Sequence, residues 1–188
     1  MKIAIDAGHN PPTDWGAEYN EYIEYILNRR VATEIQGLLY RQKHEVLPFM
    51  GTLKNKVESI NIWKADIAIE IHHNAHNSIH VKGSEVLYYP NSSKGKQLAE
   101  SIIQSISWSY LTLGIFEGYF ERNPKADILY FLKYTNMPAV IVECLYITNY
   151  QDREVIKNDN YKFLMAERIV EGIEKYLGNK NESSSLAS

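Results

Sequence analysis

Short apolar runs alternate with amphipathic stripes along the chain, and this alternation predicts its secondary structure. Continuous apolar runs bounded by turn residues are typical of buried strands, whereas apolar residues three and four positions apart are typical of helices. The first pattern predicts strands at 3–7, 45–49, 65–74, 83–89 and 137–143. The second predicts helices at about 20–42, 53–64, 92–113 and 161–177.

Strands that alternate with helices predict an α/β fold, with a mostly parallel twisted sheet and helices on both faces. We expect a single domain over residues 1–178. The polar stretch 179–188, with three consecutive serines, is interpreted as a flexible tail or linker stub. The segment 114–133 shows no clear period, and we expect it to lie over the functional site.

Four polar side chains stand at the ends of these elements. His9, His72 and Glu143 each follow or end an apolar strand. Glu24 lies about one turn into the first predicted helix, for which Asn20 is a plausible N-cap. Because ligands bind at the carboxyl ends of parallel strands, we expect the strand-end residues to converge despite their distance in sequence.

Two histidines and a carboxylate are a typical ligand set for hydrolytic zinc, which leaves the fourth position for water. His9, Glu24 and His72 supply such a set. A second carboxylate is needed to carry the proton of that water to the leaving group. Glu143 suits this role, because partial burial at the end of an apolar strand raises a carboxyl pKa.

Other side chains compete for these roles on the sequence alone. Glu18 and Glu21 stand near Glu24, and a glutamate in the first turns of a helix usually interacts only with the helix dipole. In the histidine cluster, the alternation of a strand weakly favours His72 as the ligand. We interpret the other members as solvated or substrate-side residues: His73, His76 and His80.

Composition and charge exclude several kinds of site and partner. The only cysteine, Cys144, excludes an internal disulfide and a thiolate zinc cluster, and we interpret it as an inert buried residue. A net charge of −3 gives no basic field for nucleic acid, and no apolar run is long enough for membrane insertion. The first strand begins too early for a signal peptide, so we expect synthesis in the cytoplasm. We also expect the protein to be a monomer.

Several segments together resemble the zinc-dependent N-acetylmuramoyl-L-alanine amidases of the amidase type 3 family. The resemblance spans nearly the whole chain and rests on Asp6–His9, Gly16–Ala17, Glu24–Asn28, Ile71–Ala75, Gly83–Tyr89, Pro138–Glu143 and Thr148–Asn149. The chain departs from the family pattern at two places, and both bear on the shape of the substrate loop. The segment 10–14 contains two prolines, and His73 stands where a small or apolar residue is common.

The resemblance implies hydrolysis of the amide between N-acetylmuramic acid and L-alanine in peptidoglycan. It implies that His9, Glu24 and His72 bind one zinc ion, that Glu143 is the acid/base, and that Asn74 helps to orient the site. Size and the missing leader favour the catalytic domain of a phage endolysin or related autolysin, which acts on the cell wall after release.

The sequence is also compatible with functions other than amide hydrolysis. A related zinc peptidase would cut within the peptidoglycan stem peptide, and a non-catalytic module of the same fold would only bind the wall. A strand-end carboxylate such as Glu143 argues against a pure binder. A nucleotide-binding domain is disfavoured, since no glycine-rich phosphate loop follows the first strand.

Overall fold

A six-stranded, mostly parallel sheet lies at the centre of the fold. The computed structural model describes residues 1–112 and 123–185, with side chains placed for 1–107 and 123–178. The strands are β1 (Lys2–Ala7), β2 (Glu18–Tyr19), β3 (Tyr22–Ile23), β4 (Glu45–Leu47), β5 (Ile67–Asn74), β6 (Glu85–Tyr88), β7 (Lys125–Ala126) and β8 (Ala139–Tyr146). The helices are α1 (Glu24–Arg41), α2 (Leu53–Trp63), α3 (Ser93–Thr112), α4 (Tyr130–Tyr134), α5 (Tyr150–Ile156) and α6 (Tyr161–Ser185).

The order of strands in the sheet is β4-β1-β5-β8-β6-β7, and β2 pairs with β3 in a separate small hairpin. All neighbours in the large sheet are parallel except β6 and β8. The central strands β1, β5 and β8 therefore present their carboxyl ends at one edge, which is where the predicted site residues stand.

Both faces of the sheet are covered by helices, because alternate strand residues bury apolar side chains on opposite sides. One face carries Ile3, Ile69 and Val142, which pack against α1, α3 and α6. The other carries smaller residues such as Ala4 and Ala68, which pack against α2 and α4. The predicted α/β fold with helices on both faces is confirmed.

The start of the first helix differs from the prediction. Asn20 has a positive φ of 51° and lies in the turn of the β2–β3 hairpin, so it is not the N-cap. Helix α1 instead begins at Glu24 itself, after Ile23 in an extended conformation. The hairpin was hidden in the sequence because Ile23 and Ile26 continue the apolar stripe of the helix.

The segment 114–133, predicted to lie over the site, falls partly outside the described residues, at 114–122. Its later part forms β7 and α4, whose Phe131 and Leu132 are buried in the core. The backbone of α6 continues to Ser185, and the tail assigned to 179–188 stays a prediction. Within the described ranges, no helix combines the length and apolar character needed to cross a membrane.

Helices α3 and α6 pack closely at Gly172. A Cβ atom at this position would lie 2.5 Å from the Cα of Ile102 and 2.8 Å from the carbonyl oxygen of Ser101. We expect Gly172→Ala to lower the free energy of unfolding by about 1–3 kcal/mol, because backbone must move to admit the methyl group. Chemical denaturation of the variant measures this loss.

Gly178 provides the matched control, because a Cβ there would meet nothing within 4 Å. We expect Gly178→Ala to raise stability by about 0.5–1 kcal/mol through helix propensity. Equal effects of the two substitutions would contradict this packing of α3 against α6.

Candidate metal centre

Three side chains from distant parts of the sequence meet at the carboxyl edge of the sheet. His9 Nε2 lies 2.9 Å from Glu24 Oε2, and His72 Nδ1 lies 2.8 Å from Glu24 Oε1. One ligand atom from each of these residues can be chosen so that all three lie within 4.8 Å of one another. The structure therefore brings together the three residues that the sequence selects as metal ligands.

Neighbouring strands position the two histidines. Strand β1 pairs with β5 up to Ala7 and Ile71, and the N–H of Gly8 donates to the carbonyl of Ile71 at 2.9 Å. A Cβ atom at Gly8 would overlap the ring of His72, so only glycine fits there. His9 then has a positive φ of 74°, which is uncommon for a residue with a side chain.

The β2–β3 hairpin and the start of α1 position the carboxylate. The N–H of Glu24 donates to the carbonyl of Ala17 at 2.9 Å, and the N–H of Ala17 donates to Glu24 Oε2 at 2.8 Å. This reciprocal pair joins the two ends of the β2–β3 hairpin. Glu24 is itself buried, with 5% of its surface exposed.

Each histidine also contacts a second carboxylate on its far nitrogen. His9 Nδ1 lies 2.9 Å from Asp14 Oδ2, and His72 Nε2 lies 3.4 Å from Glu70 Oε2. A carboxylate on the outer nitrogen orients an imidazole whose inner nitrogen binds a metal. With Nε2 of His9 and Nδ1 of His72 both directed at Glu24, the donor set fits a zinc ion.

The electrostatics of this cluster favour charge on all three groups. Burial opposes ionisation of Glu24, but the bonds with His72 and His9 outweigh it and hold the Glu24 pKa well below its usual range. Burial likewise lowers the pKa of His72, yet Glu24 and Glu70 raise it well above 6.5. A metal cation would replace the imidazole protons, so binding is expected to release protons.

Glu143 stands next to this cluster on β8. It pairs in register with His72 on β5 and with Glu85 on β6. Its Oε2 atom is buried and accepts no hydrogen bond from the described residues. Burial raises the pKa of Glu143 to about 7, although the charge of His72 opposes this. A carboxyl group with that pKa can both accept and donate a proton near neutral pH.

The interpretation of His73 as a solvated or substrate-side residue is wrong, since its side chain is fully buried. The hydroxyl of Tyr161 lies 2.8 Å from His73 Nε2, and His73 Nδ1 lies 2.8 Å from Asn28 Oδ1. Asn28 Nδ2 then donates to Glu24 Oε1 at 3.4 Å. Burial lowers the pKa of His73 to about 3, so it is a neutral link behind Glu24.

The other members of the histidine cluster, His76 and His80, are exposed as predicted. Cys144 is buried, and burial raises its pKa, as expected for an inert thiol. Asn74 is half-buried, and its role stays a prediction.

Sequence reasoning missed the residues that support the ligands. Glu70 carried a signal, because a charged residue interrupts an apolar strand there. Asp14, Asn28 and Tyr161 carried none, since each is ordinary in its local pattern.

Comparison with known proteins identifies one family. A family model described as N-acetylmuramoyl-L-alanine amidase matches residues 3–175. The amidase LytC of Bacillus subtilis is 30% identical in an alignment of length 183, which covers 93% of this chain and 35% of LytC. The chain thus spans about a third of that protein. The endolysin of Bacillus phage SPP1 is 29% identical, covering 98% of this chain and 69% of the endolysin.

A solved structure supports the same relationship. The crystal structure of an N-acetylmuramoyl-L-alanine amidase from Clostridium difficile 630 superimposes with a TM-score of 0.85. The two chains are 28% identical, and the match covers 95% of this chain and 97% of the other. The fold around the cluster is therefore shared over almost the full length.

Removing the Tyr161 hydroxyl tests the buried link behind Glu24. We expect Tyr161→Phe to lower the free energy of unfolding by about 1–3 kcal/mol, because a buried imidazole nitrogen loses its partner. Tyr150→Phe is the control, since Tyr150 is 67% exposed, and it should change stability by less than about 0.5 kcal/mol. Urea unfolding of both variants decides; equal losses would contradict the link.

The pKa of Glu143 predicts a pH dependence of stability. At about 7 it lies above the usual 4.5, so the folded chain holds this proton more tightly than the unfolded chain. Raising the pH through this window therefore costs stability. In chelator, the stability of wild type relative to Glu143→Gln should fall by about 1–3 kcal/mol from about pH 4.5 to about pH 8. A difference in stability between the two proteins that does not change with pH would contradict the raised pKa of Glu143.

Proposed function

The chain belongs to the N-acetylmuramoyl-L-alanine amidase family, and on that premise we propose that it is a zinc-dependent amidase of peptidoglycan. The bond cut is the amide between the lactyl group of N-acetylmuramic acid and L-alanine of the stem peptide. The partner of the chain is therefore the bacterial cell wall.

The observation that carries the proposal is the pairing of a ligand cluster with a buried carboxyl group. His9, Glu24 and His72 would hold the zinc ion, because their donor atoms already converge. Glu143 pairs in register with His72 on the neighbouring strand, and its Oε2 atom has no hydrogen-bond partner among the described residues. An unsatisfied buried carboxylate is costly and is retained most often where chemistry uses it.

When bound, zinc would supply Lewis-acid chemistry, because it would lower the pKa of a bound water to about 7 and polarise a scissile carbonyl. The protein's own residues do the remaining work. Glu143 accepts the proton of the attacking water at its carboxylate and returns it to the departing amine nitrogen. In the metal-free chain burial raises the pKa of Glu143 to about 7, which suits a group that both accepts and donates a proton.

The supporting carboxylates keep the ligands in place during the reaction. Asp14 on His9 and Glu70 on His72 hold each ring in one orientation. The hydrogen bond between Glu24 Oε2 and the Ala17 N–H does the same for the carboxylate. Preorganised ligands of this kind lower the cost of assembling the site.

Digestion of purified peptidoglycan tests the proposal. We expect intact glycan strands and stem peptides with N-terminal L-alanine, identified by mass. A chelator should abolish release, and added zinc should restore it. Cuts within the stem would show a peptidase instead, and wall binding without release would show a binding module.

Removing the proton carrier tests the role of Glu143. We expect Glu143→Ala to lower kcat by about 10²- to 10⁴-fold while bound zinc stays at one ion per chain. Glu167→Ala, at an exposed position of α6, is the matched control and should retain full activity. Activity of Glu143→Ala within threefold of wild type would overturn the role.

A further inference from the structure

A buried lysine contacts the backbone of His9 and the carboxyl group of Asp6. The side chain of Lys56, on α2, is only 4% exposed. Its Nζ atom lies 2.7 Å from the carbonyl oxygen of Ala7, 2.8 Å from that of His9 and 2.7 Å from Asp6 Oδ2. The two carbonyl oxygens accept hydrogen bonds from this ammonium group, and the Asp6 oxygen forms an ion pair with it.

Two of these contacts hold the backbone that carries His9. Ala7 ends β1, and His9 has the positive φ of 74° that turns its ring toward Glu24. A backbone conformation of this kind persists only where surrounding contacts fix it. Lys56 supplies such contacts on both sides of Gly8, from a helix that packs on the other face of the sheet.

The third contact leads to His72. Asp6 on β1 pairs in register with Glu70 on β5, so the two carboxylates are side by side within the sheet. Both are almost completely buried, and Lys56 acts electrostatically on each of them. Glu70 in turn lies 3.4 Å from His72 Nε2. One ammonium group therefore connects to both histidines, by different routes.

We propose that Lys56 is a positioning residue of the metal centre, which fixes His9 through its carbonyl oxygen and His72 through the Asp6–Glu70 carboxylate pair. The inference rests on the proposed function in one respect, namely that the cluster binds zinc. It goes beyond that function by making metal affinity depend on a residue that is not a ligand.

A purely structural role is the alternative, since a buried lysine paired with a carboxylate also stabilises the fold. The two roles differ in one measurable quantity. A structural role lowers the stability of the metal-free protein and leaves the zinc affinity of the folded protein unchanged. A positioning role weakens zinc binding by the folded protein, as loss of an outer-shell partner typically does, by about 10- to 100-fold.

The experiment compares Lys56→Met with Lys54→Met in the intact chain. Methionine keeps most of the lysine stem but removes the charge and donors, and Lys54 is on the same helix with 70% of its side chain exposed. Zinc dissociation constants are measured by competition with a chromophoric chelator, and circular dichroism in chelator checks the fold. We expect affinity to fall at least tenfold for Lys56→Met and less than twofold for Lys54→Met.

If Lys56→Met does not fold, the double variant Lys56→Met/Glu70→Gln replaces it, because it removes one positive and one negative buried charge together. Because Glu70 itself contacts His72, the reference for the double variant is Glu70→Gln alone. The proposal requires the double variant to fold and to bind zinc at least tenfold more weakly than Glu70→Gln. A folded Lys56→Met with affinity within threefold of wild type, a double variant within threefold of Glu70→Gln, or a double variant that cannot fold overturns the proposal. Absence of zinc binding by wild type would instead overturn the proposed function.

Discussion

The carboxylate of Glu24, held between two imidazoles, is the interaction on which the site depends. Each of its oxygens lies within 3 Å of a histidine nitrogen. A buried carboxylate is costly unless its charge is matched and its lone pairs are satisfied. The surrounding chain meets this requirement with a backbone N–H from Ala17 and an amide from Asn28.

The sheet makes this arrangement reachable from a sequence in which the parts are far apart. Parallel pairing of β1 with β5 brings Gly8 against the ring of His72, and pairing of β5 with β8 brings Glu143 beside it. Polar networks then extend on both sides of the cluster. His73 and Tyr161 lie behind Glu24, while Lys56 contacts the backbone of His9. Hydrogen bonds of this kind in the protein interior favour one arrangement of side chains.

Much of this could be predicted, because local pattern and global fold agree. Apolar runs predict buried strands, so the polar residues at their ends could be placed at one edge of a sheet. These residues are His9, His72 and Glu143. Glu24 was harder: periodicity could not separate it from Glu18 and Glu21, and family resemblance selected it. Its position as the first residue of α1 depends on a two-strand hairpin that the helical stripe conceals.

The supporting residues could not be predicted, because their roles come from packing between elements distant in sequence. Nothing near Lys56 in the sequence indicates that its ammonium reaches the carbonyl oxygen of His9. The burial of His73 could have been inferred, since it shares a strand face with Ile69 and Ile71. Its link to Tyr161 requires the docking of α6, which no local pattern contains.

Anomalous diffraction from zinc-loaded crystals would locate the metal without reference to activity. We expect one zinc ion, bound by nitrogens of His9 and His72 at about 2.0–2.1 Å and by a carboxylate oxygen of Glu24 at about 2.0–2.2 Å. A zinc ion held instead by the exposed His76 or His80, or a site that leaves out Glu24, would contradict it.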